Sequence, residues 1–440
     1  MAQVFRIGIA GLGTVGASAV RILDRQADRL EASCGQPVRV TAVTARSRGK
    51  ERGLDLDRFA WLDDPVALAT STEIDCFVEL IGGEDGVAKA AVEAALGAGK
   101  HVVTANKALL ARHGTKLAAL AEKNGVTLQF EAAVAGGIPI IKTLREALAG
   151  NEVSHLFGIL NGTCNYILSR MEDEGLAFEA CLAEAQRLGY AEADPTFDIG
   201  GFDSAHKLAI LTSLAFGTAI DAEAVHVEGI SSISSIDIRM ARELGYRIKL
   251  LGVAERTPTG IEQRVHPTMV PLSSAIAQVM GVTNAVTVAA DAVREITLIG
   301  PGAGGDATAS AVVADIADIA RGVGGAPFGR PTTALRKAER APMQRHHGGY
   351  YVRLTVHDRP GAAASIVNRF AQADISLESI VQHRSEDAAA RDPAGRSGAP
   401  VPVVLITYAT TEAAVRAAID QALGDGYVVE APQVIRIERE

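Results

Sequence analysis

The sequence is poor in aromatic residues and in cysteine. Phe, Trp and Tyr make up only 4% of its 440 residues, so its cores must consist mostly of Ala, Val, Leu and Ile. The four cysteines are far apart, at Cys34, Cys76, Cys164 and Cys181. They lack the CxxC spacing of a structural zinc site, and a disulfide framework is not expected either. Reduced thiols predict a cytoplasmic protein.

Long apolar runs and an excess of basic residues are also missing. No apolar run reaches transmembrane length without a glycine or a charge, and the N-terminus lacks the pattern of a signal peptide. The net charge of −9 disfavours nucleic acid or an anionic membrane as a partner, because such surfaces need clustered Lys and Arg. With 48% hydrophobic and 22% charged residues, the composition indicates a globular chain of two or three domains.

The N-terminal third predicts parallel βαβ units. Short apolar, β-branched runs alternate with Ala-rich helical patterns, and strands are predicted in "VFRIGIAG", "VRVTAVTA", "IDCFVELIGG", "HVVTANKALL" and "GVTLQFEAAVAGG". We therefore predict an α/β chain whose residues 1–150 form a Rossmann-like, doubly wound domain. Longer helices, with strands such as "YRIKLLGVAE", predict an α+β domain at residues 151–325.

The C-terminal part predicts a separate small domain. Residues 326–348 are rich in Gly, Pro and basic residues, which is typical of a linker. Two strand and helix patterns then predict a compact βαββαβ module at residues 349–440. The polar stretch "SEDAAARDPAGRSGAP" inside it predicts a mobile loop.

The motif "GLGTVG" lies between a predicted strand and a predicted helix. In this context Gly11 permits a tight turn, Gly13 lets the backbone approach a pyrophosphate, and Gly16 allows close packing. Thr14 and Val15 stand at the start of the helix, whose N-terminus faces the anion. The motif predicts dinucleotide binding, and the alternative is a turn that merely uses glycines.

The end of the second predicted strand favours NADP over NAD. It reads "TARSRGKERG", with Arg46, Arg48 and Lys50 and no acid before Glu51. An acid at this place usually holds the ribose of NAD and would repel a 2′-phosphate, whereas a guanidinium can bind one through two hydrogen bonds. NAD remains possible, and the alternative interpretation is a solvated basic loop.

Asp203 and Lys207 are four residues apart at the start of an apolar helical pattern, so a helix places both on one face. A lysine in a partly dry pocket beside a carboxylate can give a proton to a developing alkoxide. Glu192, in the preceding loop, is available for a cationic substrate group. Such a pocket suits a small amino acid with a side-chain alcohol. By spacing alone, however, an ordinary surface ion pair is favoured.

Seven segments resemble one family. In chain order they are "GLGTVG", "TANKALL", "EAAVAGGIPII", "GILNGTCNYIL", "YAEADPTFDIGGFDSAHKLAIL", "VHPTMV" and "GPGAGGDATASAVVADI". Together they resemble homoserine dehydrogenase of the monofunctional bacterial type, from the start of the chain to about residue 320. The resemblance implies reversible NAD(P)-linked reduction of L-aspartate 4-semialdehyde to L-homoserine, in threonine and methionine biosynthesis. It also implies that residues 151–325 bind substrate and form a dimer.

The resemblance implies roles for single residues. Lys207 matches the proton donor of the family, and Asp203 matches its partner in the site, where it also binds the substrate. Glu192 matches the residue that binds homoserine. Lys107, in "TANKALL", matches a lysine between cofactor and substrate.

The resemblance also implies a monovalent cation, Na⁺ or K⁺, bound by backbone oxygens and by the carbonyl or carboxylate of an acid. Its implied ligands are Glu131, Val134, Gly136 and Ile138. Gly304 belongs to a segment, residues 300–321, that is similar to one returning to the cofactor site. Asn161 and Thr163 lie in a segment similar to one near the substrate.

The segment "VHDRPGAAASIVNRF" and the βαββαβ order resemble an ACT domain, a regulatory fold that binds amino acids between paired modules. The turn from Asp358 to Gly361 opens a helix whose N–H groups can contact a ligand carboxylate. The resemblance implies L-threonine as an effector and a homo-oligomer, either dimer or tetramer. The alternative is a module used only for subunit pairing.

Two other functions stay open. One is a Rossmann dehydrogenase for another amino-acid aldehyde, and the other is a non-catalytic amino-acid sensor. The presence of Lys107, Glu192, Asp203 and Lys207 together disfavours the sensor, because a silent chain has no chemical need for all four.

Overall fold

The structure is a computed structural model that describes residues 4–383 and 400–438. These residues form a six-stranded sheet, an eleven-stranded sheet and the helices that cover them. The loop predicted from residue 385 onward lies outside the described residues except for Pro400, which begins a strand. Within the described residues, no helix is both long and apolar enough to cross a membrane.

The first sheet is parallel and doubly wound, as predicted. Its strands are β1 (Phe5–Ala10), β2 (Val38–Thr44), β3 (Ala60–Trp61), β4 (Cys76–Glu79), β5 (His101–Thr104) and β6 (Leu128–Gln129), in the order β3-β2-β1-β4-β5-β6. The helices between them are α1 (Thr14–Arg25), α2 (Ala27–Cys34), α3 (Pro65–Ala69), α4 (Val87–Gly97) and α5 (Lys107–Asn124). The two-residue β3 was not predicted, because so short a strand carries no pattern.

Alternate residues of the central strands enter different cores. Phe77 of β4 packs in the core with α3, α4 and α5, whereas its neighbours Cys76 and Val78 pack with α1. Both faces of the sheet are therefore covered, which explains why its strands read as continuous apolar runs. The fifth predicted strand is shorter than expected, because the chain turns at Glu131 into a single 3₁₀ turn.

The middle of the chain forms a mostly antiparallel sheet with helices beside it. After α6 (Ile140–Lys142), its strands are β7 (Val153–Ile159), β8 (His226–Val227), β9 (Tyr246–Thr257), β10 (Gly260–Pro271), β11 (Thr283–Ala290) and β12 (Arg294–Pro301). The helices are α7 (Gly162–Glu174), α8 (Phe178–Arg187), α9 (Thr196–Ile199), α10 (Phe202–Phe216), α11 (Ser235–Glu243) and α12 (Gly305–Ala320). Helix α12 leaves this sheet and packs on α1.

The C-terminal module has the predicted βαββαβ order. Its elements are β13 (His347–His357), α13 (Ala362–Gln372), β14 (Leu377–Gln382), β15 (Pro400–Thr407), β16 (Thr410–Thr411), α14 (Glu412–Gly424) and β17 (Gln433–Ile437). Its strand β17 pairs in parallel with β10 of the middle domain. The two domains therefore share one sheet, ordered β12-β11-β7-β9-β10-β17-β13-β15-β14.

The segment predicted as a linker is packed on the domains that it joins. Phe328 is fully buried, and Thr332 donates its hydroxyl hydrogen to Glu122 at 2.5 Å. Arg340 forms an ion pair of 2.8 Å with Asp221. The stretch is rich in Gly and Pro, yet its side chains have fixed partners, a property that composition does not reveal.

Candidate active site

Two helix N-termini meet beside the glycine loop. Helix α1 begins after Gly13, and α12 begins after Gly304. A Cβ atom on Gly305 would lie 3.0 Å from Thr14 Cγ2 and 2.9 Å from Ser18 Oγ, so the first turns of the two helices touch. Each N-terminus carries unpaired N–H groups and a partial positive charge. The place where they meet is therefore suited to an anion such as a pyrophosphate.

The loop itself depends on close backbone approaches. Gly11 has φ of 102°, and a Cβ atom there would lie 2.3 Å from the Leu80 carbonyl oxygen. A Cβ atom on Gly16 would lie 2.0 Å from the Gly11 carbonyl oxygen. Val15 packs half-buried against the core below. The predicted loop residues thus gather at the carboxyl end of β1, where open α/β sheets bind ligands.

The basic loop after β2 leaves Arg46 exposed. Arg48 forms an ion pair of 2.9 Å with Asp57, and Arg52 donates from Nε to the Leu12 carbonyl oxygen at 3.0 Å. The second contact ties this loop to the glycine loop. Arg46 has no ion pair within residues 4–383 and 400–438, so its guanidinium is available to a ligand.

Asp203 lies between two lysines from different domains. Its Oδ2 is 2.7 Å from Lys207 Nζ, and its Oδ1 is 3.1 Å from Lys107 Nζ. Asp203 is only 5% exposed. Burial raises the pKa of its carboxyl group, but the charges of Lys207 and Lys107 outweigh burial and hold the pKa well below its usual range. Asp203 is therefore ionised at neutral pH, and the pair is not an ordinary surface ion pair.

Secondary structure positions both lysines. Lys207 follows Asp203 by one turn of α10, and its Nζ also donates to the Leu160 carbonyl oxygen at 2.7 Å. Lys107 is the first residue of α5, directly after β5. Asn106 caps this helix by accepting a hydrogen bond of 3.0 Å from the Leu109 N–H. The cluster therefore joins the carboxyl edge of the first sheet to the middle domain.

Asn161 connects Asp203 to a further acid. Its Nδ2 donates to Asp203 Oδ2 at 2.9 Å and to Asp198 Oδ1 at 2.8 Å. Its Oδ1 accepts from the Cys164 N–H at 2.8 Å and thereby caps α7. Burial and the charge of Asp203 raise the pKa of Asp198. No role was predicted for Asp198, although an acid five residues before Asp203 was a usable signal.

Glu192 lies on the exposed loop between α8 and α9. Gln186 Nε2 donates to its carbonyl oxygen at 3.0 Å, and Thr163 Oγ1 donates to the Tyr190 carbonyl oxygen at 2.6 Å. Thr163 belongs to the first turn of α7, so the loop is tied next to the Asn161 cap. The carboxylate of Glu192 forms no ion pair with the described residues. The structure thus brings Lys107, Asp203 and Lys207 together, but not Glu192.

Glu79, which was not predicted as a site residue, is fully buried at the carboxyl end of β4. Its Oε1 accepts from the N–H groups of Ile81 and Gly82 at 2.8 Å and 2.9 Å, and its Oε2 accepts from the Thr104 hydroxyl at 2.5 Å. These contacts hold the ends of β4 and β5 together beside the glycine loop. The sequence signal that could have indicated Glu79 was an acid at the end of a central, apolar strand.

The carboxylate of Glu131 is already engaged. Its two oxygens accept from the N–H groups of Ile141 and Lys142, each at 2.8 Å, at the start of α6. The Glu131 N–H donates to Asp315 Oδ2 at 2.8 Å. Burial and the neighbouring Asp315 raise the pKa of Glu131 to about 7.

Backbone carbonyl oxygens of the same turn are better candidates for cation ligands than the Glu131 carboxylate. Among the described residues, nothing donates a hydrogen bond to the carbonyl oxygens of Val134 and Gly136, while that of Ile138 accepts from the Ile140 N–H at 2.8 Å. A Cβ atom on Gly136 would lie 2.6 Å from the Gly302 carbonyl oxygen, so the turn is closely packed. Hard cations prefer oxygen ligands. The carbonyl oxygens of Val134 and Gly136 are ligands of this kind.

Family models match three parts of the chain. A homoserine dehydrogenase model matches residues 139–317, and a model of the homoserine dehydrogenase NAD-binding domain matches residues 11–131. An ACT domain model matches residues 350–396. Fold and site together define a nicotinamide-dependent dehydrogenase with a C-terminal ACT domain.

Whole-chain relatives specify the family. A homoserine dehydrogenase from Neisseria gonorrhoeae is 46% identical over 419 residues, which is 94% of each chain. The crystal structure of a homoserine dehydrogenase from Thiobacillus denitrificans is 43% identical, with a TM-score of 0.91, over 99% of this chain and 98% of that one. A hyperthermophilic archaeal homoserine dehydrogenase mutant, solved in complex with NADPH, is 28% identical, with a TM-score of 0.62, over 72% of this chain and 97% of that one.

The chain belongs to the homoserine dehydrogenase family, so the resemblance found in the sequence is confirmed. Its reaction is the reversible, NAD(P)-dependent reduction of L-aspartate 4-semialdehyde to L-homoserine, a step of threonine and methionine biosynthesis. Neither a silent sensor nor a dehydrogenase for another aldehyde is favoured.

We expect Glu131→Gln to remove a pH dependence of stability. The folded-state pKa of Glu131 is raised from 4.5 to about 7, so the folded protein keeps a proton that the unfolded chain releases. Without Na⁺ or K⁺, stability of the unmodified protein should fall as pH rises through this window, by at most about 1.4 kcal/mol per pH unit. Thermal unfolding midpoints in tetramethylammonium buffers measure this effect.

The matched control is Glu179→Gln, which neutralises an exposed acid. It should leave the pH dependence of the unmodified protein intact. A constant difference in midpoint between Glu131→Gln and the unmodified protein across the whole pH window would contradict the raised pKa.

Proposed function

We propose that Lys207 transfers the proton in this reaction and that Asp203 positions it. Lys207 Nζ donates a proton to the aldehyde oxygen during reduction and removes it during oxidation of the alcohol. The contact of 2.7 Å with Asp203 orients the ammonium group and balances its charge. The observation that carries the proposal is one buried carboxylate that holds lysines from two domains.

The other predicted residues have the following proposed roles. Lys107 belongs to the cluster and opens α5 at the carboxyl edge of the first sheet, so its proposed place is between cofactor and substrate. Glu192 binds the substrate ammonium group from its exposed loop. The N-termini at Gly13 and Gly304 receive the pyrophosphate. A nicotinamide nucleotide held there would supply or accept the hydride at the carbon that carries the reacting oxygen.

NADP is the proposed cofactor, through Arg46. This arginine is exposed and has no ion pair within the described residues, whereas its neighbour Arg48 is held by Asp57. A free guanidinium at the end of β2 suits a 2′-phosphate. The NADPH complex of the archaeal relative adds support from within the family.

Further proposals concern domains, assembly and location. Residues 1–150 bind the cofactor, and residues 151–325 bind the substrate and form a homodimer or tetramer. Residues 326–348 connect these domains to residues 349–440, which regulate the enzyme. The packing of α12 on α1 supports the proposed return of residues 300–321 to the cofactor domain.

The carbonyl oxygens of Val134, Gly136 and Ile138 are the proposed ligands of Na⁺ or K⁺. The buried free thiols of Cys76, Cys164 and Cys181 support a cytoplasmic location.

The Lys207→Ala variant tests the proton-transfer role. We expect kcat to fall by a factor of about 10² to 10⁴, because positioned acid–base catalysis is lost. Homoserine-dependent reduction of NADP measures kcat, and direct titration checks that NADP still binds. The control is Lys89→Ala, which breaks an i,i+4 pair with Glu93 on α4. If Lys207→Ala kept the turnover of the unmodified protein, the assignment would be wrong.

The Arg46→Glu variant tests the cofactor preference. We expect kcat/KM for NADP to fall by a factor of about 10 to 100, since a charge-assisted contact to the 2′-phosphate is replaced by repulsion. The value for NAD should not fall. Arg29→Glu makes the same charge change on exposed α2 and serves as control. Equal losses for NADP and NAD would contradict a 2′-phosphate contact.

L-Threonine is the proposed effector, with its carboxylate at the turn that opens α13. Gly361 precedes this helix with φ of 93°, and no side chain caps the first N–H groups of α13. We expect L-threonine to inhibit the unmodified protein and to inhibit Asp358→Asn less, because the substitution removes a carboxylate that can pair with the ammonium group of the amino acid. Asp420→Asn, on exposed α14, is the control. Threonine-independent rates would instead support the pairing-only alternative.

A further inference from the structure

A buried arginine of the ACT domain reaches into the catalytic part of the chain. Arg436 lies on β17, next to β10, and is 2% exposed. Its Nε and Nη2 bind Glu412 at 3.0 Å and 2.9 Å, inside the ACT domain. Its Nη1 and Nη2 bind the two carboxylate oxygens of Glu228 at 3.0 Å and 3.1 Å, across the domain boundary. Burial and these carboxylates fix the guanidinium in one place.

Glu228 begins a short segment that touches the turn between α9 and α10. The Ile230 N–H donates to the Ile199 carbonyl oxygen at 2.9 Å. A Cβ atom on Gly229 would lie 2.4 Å from that same oxygen and 2.8 Å from Gly200 Cα. The two segments are therefore in contact backbone to backbone, with no room for even a methyl group between them.

The turn leads directly to Asp203. Gly201, with φ of 88°, precedes α10, and Asp203 is the second residue of that helix. A Cβ atom on Gly201 would lie 3.1 Å from Val227 Cγ1 and from Val265 Cγ1. Val227 and Val265 thus pack closely against Gly201 at the start of α10. Because protein interiors are densely packed, we expect a shift of Glu228 to displace this turn as well.

We propose that Arg436 is a positioning residue for the dehydrogenase reaction. Through Glu228 and Gly229 it fixes the turn between α9 and α10, and with it the place of Asp203. The inference rests on the proposed role of Asp203 and Lys207. It means that the ACT domain completes the substrate site structurally, in addition to any effector that it binds.

Two variants test the two halves of this link. Arg436→Met removes the guanidinium and leaves Glu228 with His226 at 2.9 Å, and Gly229→Ala places a methyl group against the turn without changing any charge. Because Asp203 is also a proposed substrate contact, we expect both variants to raise KM for homoserine about tenfold or more and to leave KM for NADP within about twofold. Arg436→Lys retains a cation and should recover part of the loss.

Matched controls separate positioning from general stability. Arg353→Met removes another buried arginine of the ACT domain, whose partner Asp237 lies on α11 at 2.7 Å rather than in the segment at Glu228. It should lower the thermal unfolding midpoint, as Arg436→Met does, and leave KM for homoserine unchanged. Gly150→Ala adds a methyl group where no atom lies within 4 Å, and should change neither quantity.

The measurements are KM and kcat for both substrates on full-length protein, with thermal midpoints for every variant. The inference is overturned if folded Arg436→Met and Gly229→Ala keep the homoserine KM of the unmodified protein. It is also overturned if KM rises equally for homoserine and NADP. If Arg436→Met does not fold, Gly229→Ala and Arg436→Lys decide. Full turnover in Lys207→Ala, assayed alongside, would instead refute the proposed site itself.

Discussion

One buried carboxylate, Asp203, is the constraint on which the rest of the site depends. An ion moved from water into the protein loses solvation worth on the order of several kcal/mol, and only close counter-charges and hydrogen bonds restore it. Lys207 comes from the same helix, Lys107 comes from the cofactor domain, and Asn161 adds a donor. Because Lys107 belongs to the other domain, its contact with Asp203 also joins the two domains at this point.

Charges held inside the protein also organise the cofactor end of the site and its side towards the ACT domain. At the cofactor end, helices α1 and α12 bring two N-termini together, so partial positive charge stands ready where the nucleotide anion would lie. On the side of the ACT domain, the buried guanidinium of Arg436 binds the carboxylate of Glu228 across the domain boundary. This ion pair is specific in direction, so it sets the place of the segment at Glu228 more than it adds net stability.

Much of the fold was predictable from local pattern. The βαβ alternation, the change to longer helices with further strands and the βαββαβ order each reflect periodicities that short segments carry on their own. Three features were not predictable. The two-residue β3 carries no periodicity, the packing of Phe328 and Arg340 depends on distant partners, and the pairing of β17 with β10 joins residues about 170 positions apart. Such contacts are decided by tertiary structure alone.

For the site, the sequence by itself determined which chemical groups are present: a glycine loop before a helix, and an Asp and a Lys one helical turn apart. It left open whether that pair was a surface ion pair, because spacing does not report burial. Tertiary structure decided this by burying Asp203, adding Lys107 from another domain and linking Asn161 and Asp198 to it. The tertiary structure also places Glu192 on an exposed loop, and it pairs the carboxylate of Glu131 with backbone N–H donors. The physical reason is that pKa and reactivity depend on solvation and on charges within a few ångströms, and folding rather than chain order sets those distances.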